Sequence, residues 1–475
     1  MTDTQARTEV DTATPNTGEA PDELVARLRA TFRTGRTRPI SWRREQLAEI
    51  LRMLDEHEAE FVQALHDDLR RPPIEAYTAD IGTTKSEVKY IAKHVSSWAK
   101  PKNVVAPITA QPGRGKLIPE PLGVALIISP WNYPVNLLVQ PLAAAIAAGN
   151  AVVLKPSELA PATAGLLTRL VPQYLDPEAV AIVEGGVPET TALLEQQFDH
   201  IFFTGSTRVG KVVMAAAAKH LTPVVLELGG KSPAIVAGDA DLAITARRLM
   251  WGKHLNAGQT CIAPDYVLVE DSVRDRLIDE MGKAVSEFLG ADAKASPDFC
   301  RIINDSHFER LSKLLATAGG TIAVGGTTDA ADKFVEPTVI VDPDLDAPIM
   351  QEEIFGPLLP VIGVESVADA VEFVNDRPKP LALYVFSSSG GTVDQVIDGT
   401  SSGGVCVNHT LLHITPDNLP FGGVGPSGMG SYHGKAGFDA FSHLKPVLAK
   451  PAKPDIKFIY PPYTSLKEKI VRSAL

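Results

Sequence analysis

The sequence predicts an α/β protein whose first domain is a doubly wound parallel sheet. Between residues 122 and 228, short apolar runs alternate with segments in which apolar residues recur at helical spacing. Strands that alternate with helices are typical of parallel sheets, because each helix carries the chain back to the same end of the sheet. A second alternation begins after residue 230 and predicts a second α/β domain.

The elements can be assigned in chain order. Residues 43–70 have one helical apolar stripe, formed by Leu47, Ile50, Leu51, Leu54, Phe61 and Leu65. The strands predicted for the first sheet are 122–128, 151–154, 180–183, 200–203 and 223–228, and its helices are 135–148, 160–171, a short one near Glu189, and 208–219. In the second domain, strands are predicted at 235–236 and 266–269, and helices at 241–255 and 273–289. Residues 100–121 and 444–462 are extended, Pro-rich and basic, and they fit neither domain.

Composition indicates an ordinary soluble protein. The chain has 475 residues and a net charge of −12, which disfavours binding to nucleic acid or to acidic membranes. Three scattered cysteines cannot form a disulfide framework, and their odd number implies a free thiol and a reducing compartment. Residues 1–20 are polar, lack the pattern of a secretory signal and are predicted to be a disordered tail.

The most apolar window, residues 137–154, raises the question of a membrane span. It contains Gln140, Pro141, Gly149 and Asn150, which are unfavourable in hydrocarbon. A buried helix followed by a strand explains this window better.

Cys261 and Glu227 are the candidate nucleophile and base. Cys261 lies in the stretch Asn-Ala-Gly-Gln-Thr-Cys-Ile-Ala-Pro, and Glu227 lies upstream in Leu-Glu-Leu-Gly-Gly-Lys-Ser-Pro. A thiol of ordinary pKa is only a few per cent thiolate at neutral pH, so a catalytic cysteine needs activation and a partner that handles protons or water. The alternative is a buried, inert cysteine beside a solvated glutamate.

Two segments could bind a dinucleotide phosphate. Gly423-Val-Gly-Pro-Ser-Gly428 matches the dinucleotide fingerprint, but no strand precedes it and Pro426 interrupts it, so we interpret it as a turn that lines the cleft. The segment from Thr204 to Gly210 follows a strand and opens a helix, whose free N–H groups can face an anion. Lys155 and Glu158, at the end of another predicted strand, could hydrogen-bond ribose hydroxyls, or could be a surface lysine and a helix cap.

Two metal-like patterns are rejected, and no metal site is predicted. Asp342, Asp344, Asp346 and Glu353 have the spacing of a calcium loop, but the turn position is not glycine and two prolines interrupt it. Cys406, His409 and His413 could suit zinc, yet no fourth ligand lies nearby.

Several motifs in the same order resemble the aldehyde dehydrogenase superfamily, and within it the class 3 branch of fatty-aldehyde and aromatic-aldehyde dehydrogenases. The motifs are Arg38–Trp42, Glu75–Tyr77, Pro130–Pro134, Lys155–Glu158, Phe203–Thr207, Glu352–Pro357 and Pro420–Gly434. Roughly nine-tenths of the chain is covered, and ordered motifs are more specific than any one of them.

The resemblance implies further roles. Asn132 would donate its amide to the oxyanion together with the backbone N–H of Cys261, although a turn residue before Pro134 is the alternative. Cofactor binding would fall to Lys155, Glu158, Gly205, Ser206, Glu353 and Phe355, with the first two at the adenosine ribose, Glu353 at the nicotinamide ribose and Phe355 beside the ring. Tyr77, Tyr133, Trp251 and Phe421 could line an apolar substrate funnel or belong to the core.

The expected activity is oxidation of an aldehyde, of medium or long aliphatic or aromatic type, to the carboxylic acid with NAD⁺, NADP⁺ also being possible. The reaction would pass through a thiohemiacetal and a thioester on Cys261, with Glu227 activating water. One alternative is a cofactor-free cysteine hydrolase or acyltransferase that pairs Cys261 with His254, and another is a nucleotide-binding protein without catalysis.

The domain organisation follows from the same evidence. Residues 21–99 and 122–229 are assigned to the NAD(P)-binding domain, and 230–425 to the catalytic domain. Residues 100–121 and 430–462 are assigned to an oligomerisation arm and C-terminal tail. The resemblance implies a homodimer; the charged tail from Ser465 to Leu475 argues against a stable membrane anchor, and we expect a cytoplasmic protein.

Overall fold

A computed structural model describes residues 18–107, 110–455 and 460–474. The predicted disordered tail, residues 1–20, lies outside these ranges except for its last three residues. The helices are α1 Pro21–Arg33, α2 Ile40–Glu56, α3 Glu58–Leu69, α4 Pro73–Glu75, α5 Gly82–Trp98, α6 Asn136–Ala148, α7 Pro161–Tyr174, α8 Val187–Leu194, α9 Thr207–Ala218, α10 Leu242–His254, α11 Arg274–Leu289, α12 Asp305–Ala316, α13 Pro348–Gln351, α14 Val367–Asn375, α15 Gly390–Gly399, α16 Gly434–Ala440 and α17 Ser465–Ala474.

The strands are β1 Lys102–Val104, β2 Arg114–Pro121, β3 Val124–Ile128, β4 Ala151–Lys155, β5 Val180–Ile182, β6 His200–Thr204, β7 Val224–Glu227, β8 Pro233–Val236, β9 Tyr266–Glu270, β10 Thr321–Val324, β11 Thr328–Asp329, β12 Phe334–Val335, β13 Thr338–Val341, β14 Leu358–Val364, β15 Ala382–Phe386, β16 Gly404–Val407, β17 Gly428–Met429 and β18 Ser442–Ala449.

The first sheet is doubly wound, as predicted. Its order is β17-β7-β6-β3-β4-β5, with β7 to β5 parallel and β17 antiparallel at one edge. Alternate residues of β3 face opposite layers: Ala125 and Ile127 pack in one hydrophobic core, and Val124 and Leu126 in another. All five residues of β3 are buried, as expected for a parallel strand covered on both faces.

The second sheet confirms the second α/β alternation. Its order is β10-β13-β14-β9-β8-β15-β16, and only β10 pairs antiparallel. Its strands also bury both faces, because Val267 and Val269 join one core while Leu268 joins another. The fold class predicted from the sequence is therefore confirmed; the assignment of residue ranges to domains stays a prediction.

The N-terminal helical stripe differs from the prediction in one respect. Residues 43–70 do not form one helix, because α2 ends at Glu56 and α3 begins at Glu58. His57 between them has φ −115° and ψ +20°, which breaks the α-helical hydrogen-bond ladder. Leu54 before the break and Phe61 after it are nevertheless fully buried in the same core.

The apolar window at residues 137–154 is a buried helix and a strand, as predicted. All thirteen residues of α6 are buried, and β4 follows it. No helix within the described ranges is long and apolar enough to cross a membrane.

The two extended segments pair with each other. They form a separate three-stranded sheet of order β1-β2-β18, in which β18 runs antiparallel to β2 over eight residue pairs, from Ser442 opposite Pro121 to Ala449 opposite Arg114. Most of its side chains are exposed or only partly buried. We call these three strands the arm.

Candidate active site

The predicted site residues meet at the carboxyl edge of the first sheet. Lys155 and Glu227 are the last residues of β4 and β7, and Gly205 directly follows β6. Asn132 lies in the loop after β3. Parallel strands end at a common edge, where open α/β sheets bind ligands, so the alternation seen in the sequence is what gathers these residues.

Cys261 follows a constrained turn between the two sheets. Asn256 and Ala257 have left-handed backbone conformations, with φ of +52° and +50°. Such conformations are unfavourable for residues other than glycine and persist only where surrounding contacts impose them. Here the Asn256 amide N–H donates to Oε2 of Glu75 (3.0 Å), and its side-chain amide donates to the main-chain oxygen of Asn132 (2.9 Å).

Cys261 and Glu227 line one cavity of about 320 Å³. Tyr133, Trp251 and Phe421, three of the aromatic residues predicted for a substrate funnel, line the same cavity. The fourth, Tyr77, lies instead on the wall of an adjoining cavity. The thiol and the carboxylate predicted from separate motifs therefore face the same space.

The surroundings of both groups favour their neutral forms. Burial raises the pKa of Glu227 well above its usual range, and neither of its carboxylate oxygens has a hydrogen-bond partner among the described residues. Burial also raises the pKa of the Cys261 thiol, and the carboxylates of Glu353 and Glu227 raise it further, whereas the backbone amides of Cys261 and Ile262 lower it. A thiolate at this position needs additional positive charge or hydrogen-bond donors.

Asn132 is buried, does not itself line the cavity of Cys261, and has a partly engaged side chain. Its Nδ2 donates to the main-chain oxygen of Gln259 (3.1 Å), while Oδ1 has no partner in the described part of the chain. A primary amide has two N–H donors, so one remains for a ligand oxygen.

Lys155 and Glu158 lie together at the end of β4. The Lys155 ammonium is buried, donates to the main-chain oxygen of Pro156 (2.7 Å) and lies 3.7 Å from Oε2 of Glu158, whose side chain is about half exposed. Both could reach ribose hydroxyls at this edge.

Gly205 and Ser206 form the loop between β6 and α9. Ser206 caps α9, since its hydroxyl accepts from the Val209 amide (3.4 Å). A Cβ at Gly205 would lie 2.6 Å from the ring of Phe203, which explains the glycine. The strand, turn and helix N-terminus predicted here are therefore present, and a helix N-terminus attracts anions.

Glu353 is partly buried, and one of its carboxylate oxygens is buried and unpaired. Oε1 has no partner among the residues described, and a Cβ at Gly229 would lie 2.2 Å from Oε2. Burial raises the pKa of Glu353 to about 8, with Asp265 contributing in the same direction. Two ribose hydroxyls would supply the donors that this carboxylate lacks, so the residues present fit a dinucleotide. Phe355 packs edge-on against Trp131, with ring centroids 5.3 Å apart.

Sequence reasoning missed the groups that position these residues. Lys231 donates to Oδ2 of Asp265 (2.5 Å) and to the main-chain oxygens of Ile349 (2.6 Å) and Glu352 (3.0 Å), which ties the segment before Glu353 to the second sheet. Lys231 stands in the same sequence motif as Glu227. Its position four residues after the candidate base was the only local feature that could have marked it as part of the site.

Two alternatives from the sequence find no geometric support. His254 packs against Phe288 and Phe299 and does not line the cavity of Cys261; burial lowers its pKa to about 3. A hydrolase would therefore lack that base. The glycine-rich segment Gly423–Gly428 is a turn rather than a phosphate loop, because it leads into β17, which pairs with β7 beside Glu227.

A partly buried thiol and a buried carboxylate thus share one cavity at the carboxyl edge of a parallel sheet, the edge at which open α/β sheets bind nucleotides. The sequence model described as "Aldehyde dehydrogenase family" matches residues 2–447, and the chain belongs to that family. The resemblance and the class of reaction predicted from the sequence, aldehyde oxidation with NAD(P)⁺, are confirmed.

Individual relatives agree over almost the whole chain. "Aldehyde dehydrogenase family 3 member A2" of Mus musculus is 50% identical over 94% of this chain and 92% of that protein. "Aldehyde dehydrogenase, dimeric NADP-preferring" of Canis lupus familiaris is 48% identical over 93% of this chain and 97% of that protein. The substrate-bound structure of AldH from Staphylococcus aureus is 42% identical, covers 96% of this chain and 99% of that chain, and superposes with a TM-score of 0.93.

Proposed function

We propose that this enzyme oxidises aldehydes through a covalent intermediate on Cys261, with Glu227 as the base for the attacking water. The observation that carries the proposal is the shared cavity of Cys261 and Glu227, whose lining includes Thr204 and Glu227 at the carboxyl ends of β6 and β7. The domain assignment proposed from the sequence, a cofactor domain followed by a catalytic domain, agrees with a site between two sheets.

In the first stage, Cys261 reacts as the thiolate: its sulfur forms a bond to the carbonyl carbon, and the electron pair of the broken C–O π bond leaves the carbonyl oxygen as an alkoxide. The free N–H of the Asn132 amide and the backbone N–H of Cys261 stabilise that charge, and such donors contribute about 10²–10³-fold to rate. Lys155, Glu158, Gly205, Ser206, Glu353 and Phe355 would hold a nicotinamide dinucleotide, which would supply the acceptor for the hydride that leaves the substrate carbon. The substrate carbon remains on Cys261 as a thioester.

In the second stage, Glu227 takes a proton from water while the water oxygen attacks the thioester carbon. The carbon–sulfur bond then breaks, the carboxylic acid leaves and Cys261 is restored. The unpaired carboxylate oxygens of Glu227 support this role, because a water molecule in the cavity can donate to them. Since burial raises the pKa of Glu227, we expect deacylation to accelerate as pH rises and the carboxylate form is populated.

For the cofactor, we propose that NAD⁺ is favoured moderately over NADP⁺. A carboxylate at Glu158 would accept from ribose hydroxyls and repel a 2′-phosphate. The canine relative is named NADP-preferring, which supports tolerance of both. For the substrate, the apolar walls of the cavity, among them Leu137, Leu228 and Leu411, support medium or long aliphatic or aromatic aldehydes.

We also propose a cytoplasmic homodimer held by the arm. A three-stranded sheet with both faces largely exposed is marginal alone in water. The arm exposes Val104, Leu444 and Leu448, and the name of the canine relative includes the word dimeric. Sedimentation should give a dimer that weakens on deletion of residues 451–475, whereas a monomer for the intact chain would refute the proposal.

The test of the mechanism compares Cys261→Ala with Glu227→Gln, with Cys406→Ala as the matched control thiol. Cys261→Ala should lose more than about a hundredfold in turnover, because the covalent step is gone, while cofactor affinity changes little. Glu227→Gln should form one equivalent of reduced cofactor in a stopped-flow burst and then stall as the acyl-enzyme. A slow burst without acyl-enzyme would instead make Glu227 the base for Cys261, and undiminished turnover would remove it from the mechanism.

A further inference from the structure

A second cavity of about 290 Å³ adjoins the cavity of Cys261. The two share the wall residues Thr78, Thr83, Gln140, Ile414, Thr415 and His433. Beyond that shared wall, the second cavity is lined by Ser86, Glu87 and Asp417, whereas the first is largely apolar. A substrate that reacts at Cys261 and fills the first cavity therefore points its far end towards polar groups.

Gln140 is the first indication that a ligand binds these polar groups. It lies in α6, every residue of which is buried, and its Oε1 has no hydrogen-bond partner among the described residues. The other amide on this helix, Asn136, is paired, since its Nδ2 donates to Oγ1 of Thr83 (3.1 Å). A buried acceptor without a donor destabilises the folded state, so an apolar residue at 140 would be better for stability alone.

Glu87 is the second sign. Its carboxylate is buried, and Oε1 accepts the Gly434 amide (2.5 Å). Burial, together with the neighbouring Asp417 carboxyl, raises the pKa of Glu87 to about 7. Within the described ranges no lysine or arginine forms an ion pair with Glu87. Two adjacent carboxyl groups, which also hydrogen-bond to each other, thus form a polar end of the cavity, and neither has an ion-pair partner among the described residues.

His433 completes this wall. The side chain is buried and stacks on Phe421, with ring centroids 5.6 Å apart, and its Nε2 has no partner in the described part of the chain. Burial lowers the pKa of His433 to about 4, so the ring is neutral at physiological pH and cannot balance the carboxyl groups.

We infer that this enzyme selects aldehydes that carry a hydrogen-bond donor at the end remote from the carbonyl, either a hydroxyl or an ammonium group, joined to it by an apolar chain. The donor would be received by Gln140 Oε1 and the carboxyl groups of Glu87 and Asp417. This inference rests on the proposed function and narrows its substrate class.

The selectivity follows from the cost of unpaired acceptors. An unsubstituted alkanal long enough to reach the second cavity would displace water from Gln140 and Glu87 without replacing its hydrogen bonds. Sites built to hydrogen-bond a substrate group discriminate strongly against analogues that lack it. Because this cavity is partly open to solvent, we expect a preference of only about tenfold in kcat/KM, which is smaller than the discrimination of fully enclosed sites.

The test measures kcat/KM with NAD⁺ for unsubstituted, ω-hydroxy and ω-ammonium aldehydes of matched length, from six to twelve carbons. The ω-hydroxy or ω-ammonium series should exceed the unsubstituted series by about tenfold at one or more lengths. A larger gain for the ammonium series would assign the recognition to charge at Glu87 and Asp417; a larger gain for the hydroxyl series would assign it to neutral hydrogen bonding.

Two variants report on the wall itself. Gln140→Leu should lower the ratio of donor-terminated to unsubstituted kcat/KM towards one and should melt no lower than wild type, because it removes an unpaired acceptor. Asp417→Ala, at the partly exposed rim, should lower the same ratio. Gln173→Leu, on the surface of α7, is the matched control and should leave the ratio unchanged.

The outcomes separate the two levels of the proposal. If the wild-type enzyme oxidises no aldehyde of any series, the proposed function fails. If it oxidises unsubstituted aldehydes as well as or better than the donor-terminated ones at every length, the proposed function stands and this inference is overturned. Ratios that neither variant changes would also overturn it.

Discussion

Buried polar groups on the two sides of the Cys261 loop differ in whether they have hydrogen-bond partners. On the side away from the cavity, the polar groups of Arg71, Asp80, Glu75 and Asn256 are largely paired with one another or with main-chain atoms; we call them the anchoring network. On the side that faces the cavity, the buried side chains of Glu227 and Gln140 have carboxylate or amide oxygens without a partner among the described residues.

The anchoring network is closed around the main chain of Asn132. Arg71 is fully buried, donates to Oδ2 of Asp80 (2.8 Å) and donates to the main-chain oxygen of Asn132. Asp80 in turn accepts the Asn136 amide (2.5 Å). Because the same Asn132 oxygen also accepts from Asn256, the loop before Cys261 and the loop after β3 are held by one set of contacts.

The difference separates positioning from binding. Buried polar groups in folded proteins are nearly always paired, so a paired set needs no ligand to explain it. Unpaired groups gathered on one cavity wall are instead expected where a ligand completes the hydrogen bonds. This distinction can be tested by substituting one residue on each side and measuring whether the free energy of unfolding or the catalytic rate changes.

The largest effect on stability is expected from Arg71→Met. The change leaves Asp80 as an uncompensated buried charge, and breaking a buried pair in this way costs about 3–5 kcal/mol. Urea unfolding followed by fluorescence would measure the loss. The double variant Arg71→Met/Asp80→Leu removes both charges and should recover much of it, which is the matched control. A single variant as stable as wild type would mean that the network does not hold the loop.

Glu227→Gln should have a smaller effect of opposite sign. Burial raises the pKa of Glu227 in the folded protein above its ordinary value of 4.5. Between pH 4.5 and the pKa of Glu227 in the folded protein, the folded state binds more protons than the unfolded state. The free energy of unfolding of the wild type therefore falls as pH rises through this range. Glutamine does not titrate, and the variant should therefore gain on wild type by up to about 1.4 kcal/mol per pH unit above pH 4.5.

The measurement is the difference between the urea midpoints of Glu227→Gln and wild type at pH 5, 6 and 7. A difference that widens with pH supports a carboxylate buried without a partner. A difference that stays constant or narrows would show that Glu227 is solvated or paired in solution, and the contrast with the paired Asp80 would then fail.

The sequence predicted the cavity face far better than the anchoring network. Strand and helix periodicity is local, so the alternation was sufficient to place Glu227, Lys155 and Gly205 at one edge. The contact from Arg71 to Asn132 joins residues 61 positions apart, and that from Asn256 to Glu75 joins residues 181 apart, and no local pattern marks either.

Gln140 is a residue whose burial could be predicted from the sequence but whose missing hydrogen bond could not. In the sequence, its polarity argued against a membrane span, and the buried helix α6 agrees with that argument. That its amide oxygen would remain unpaired on a cavity wall could not be predicted, because this depends on side chains from α5 and from the segment around His433, which are distant in the sequence. The break at His57 was missed because an apolar stripe continues across it.

The smallest effect is expected at Glu158, which is intermediate between the two sides. It lies 3.7 Å from the buried Lys155 ammonium, but its own side chain is about half exposed, so this pair contributes little to stability. Glu158→Gln keeps the shape, removes the charge that would repel a 2′-phosphate and leaves Lys155 free to attract one. We therefore expect kcat/KM for NADP⁺ relative to NAD⁺ to rise by roughly three- to tenfold, about 0.6–1.4 kcal/mol.

Glu195→Gln, at a surface carboxylate paired with Lys219, is the control and should leave that ratio unchanged. An unchanged ratio in Glu158→Gln would mean that this carboxylate does not face the adenosine ribose, although it lies beside Lys155 at the end of β4.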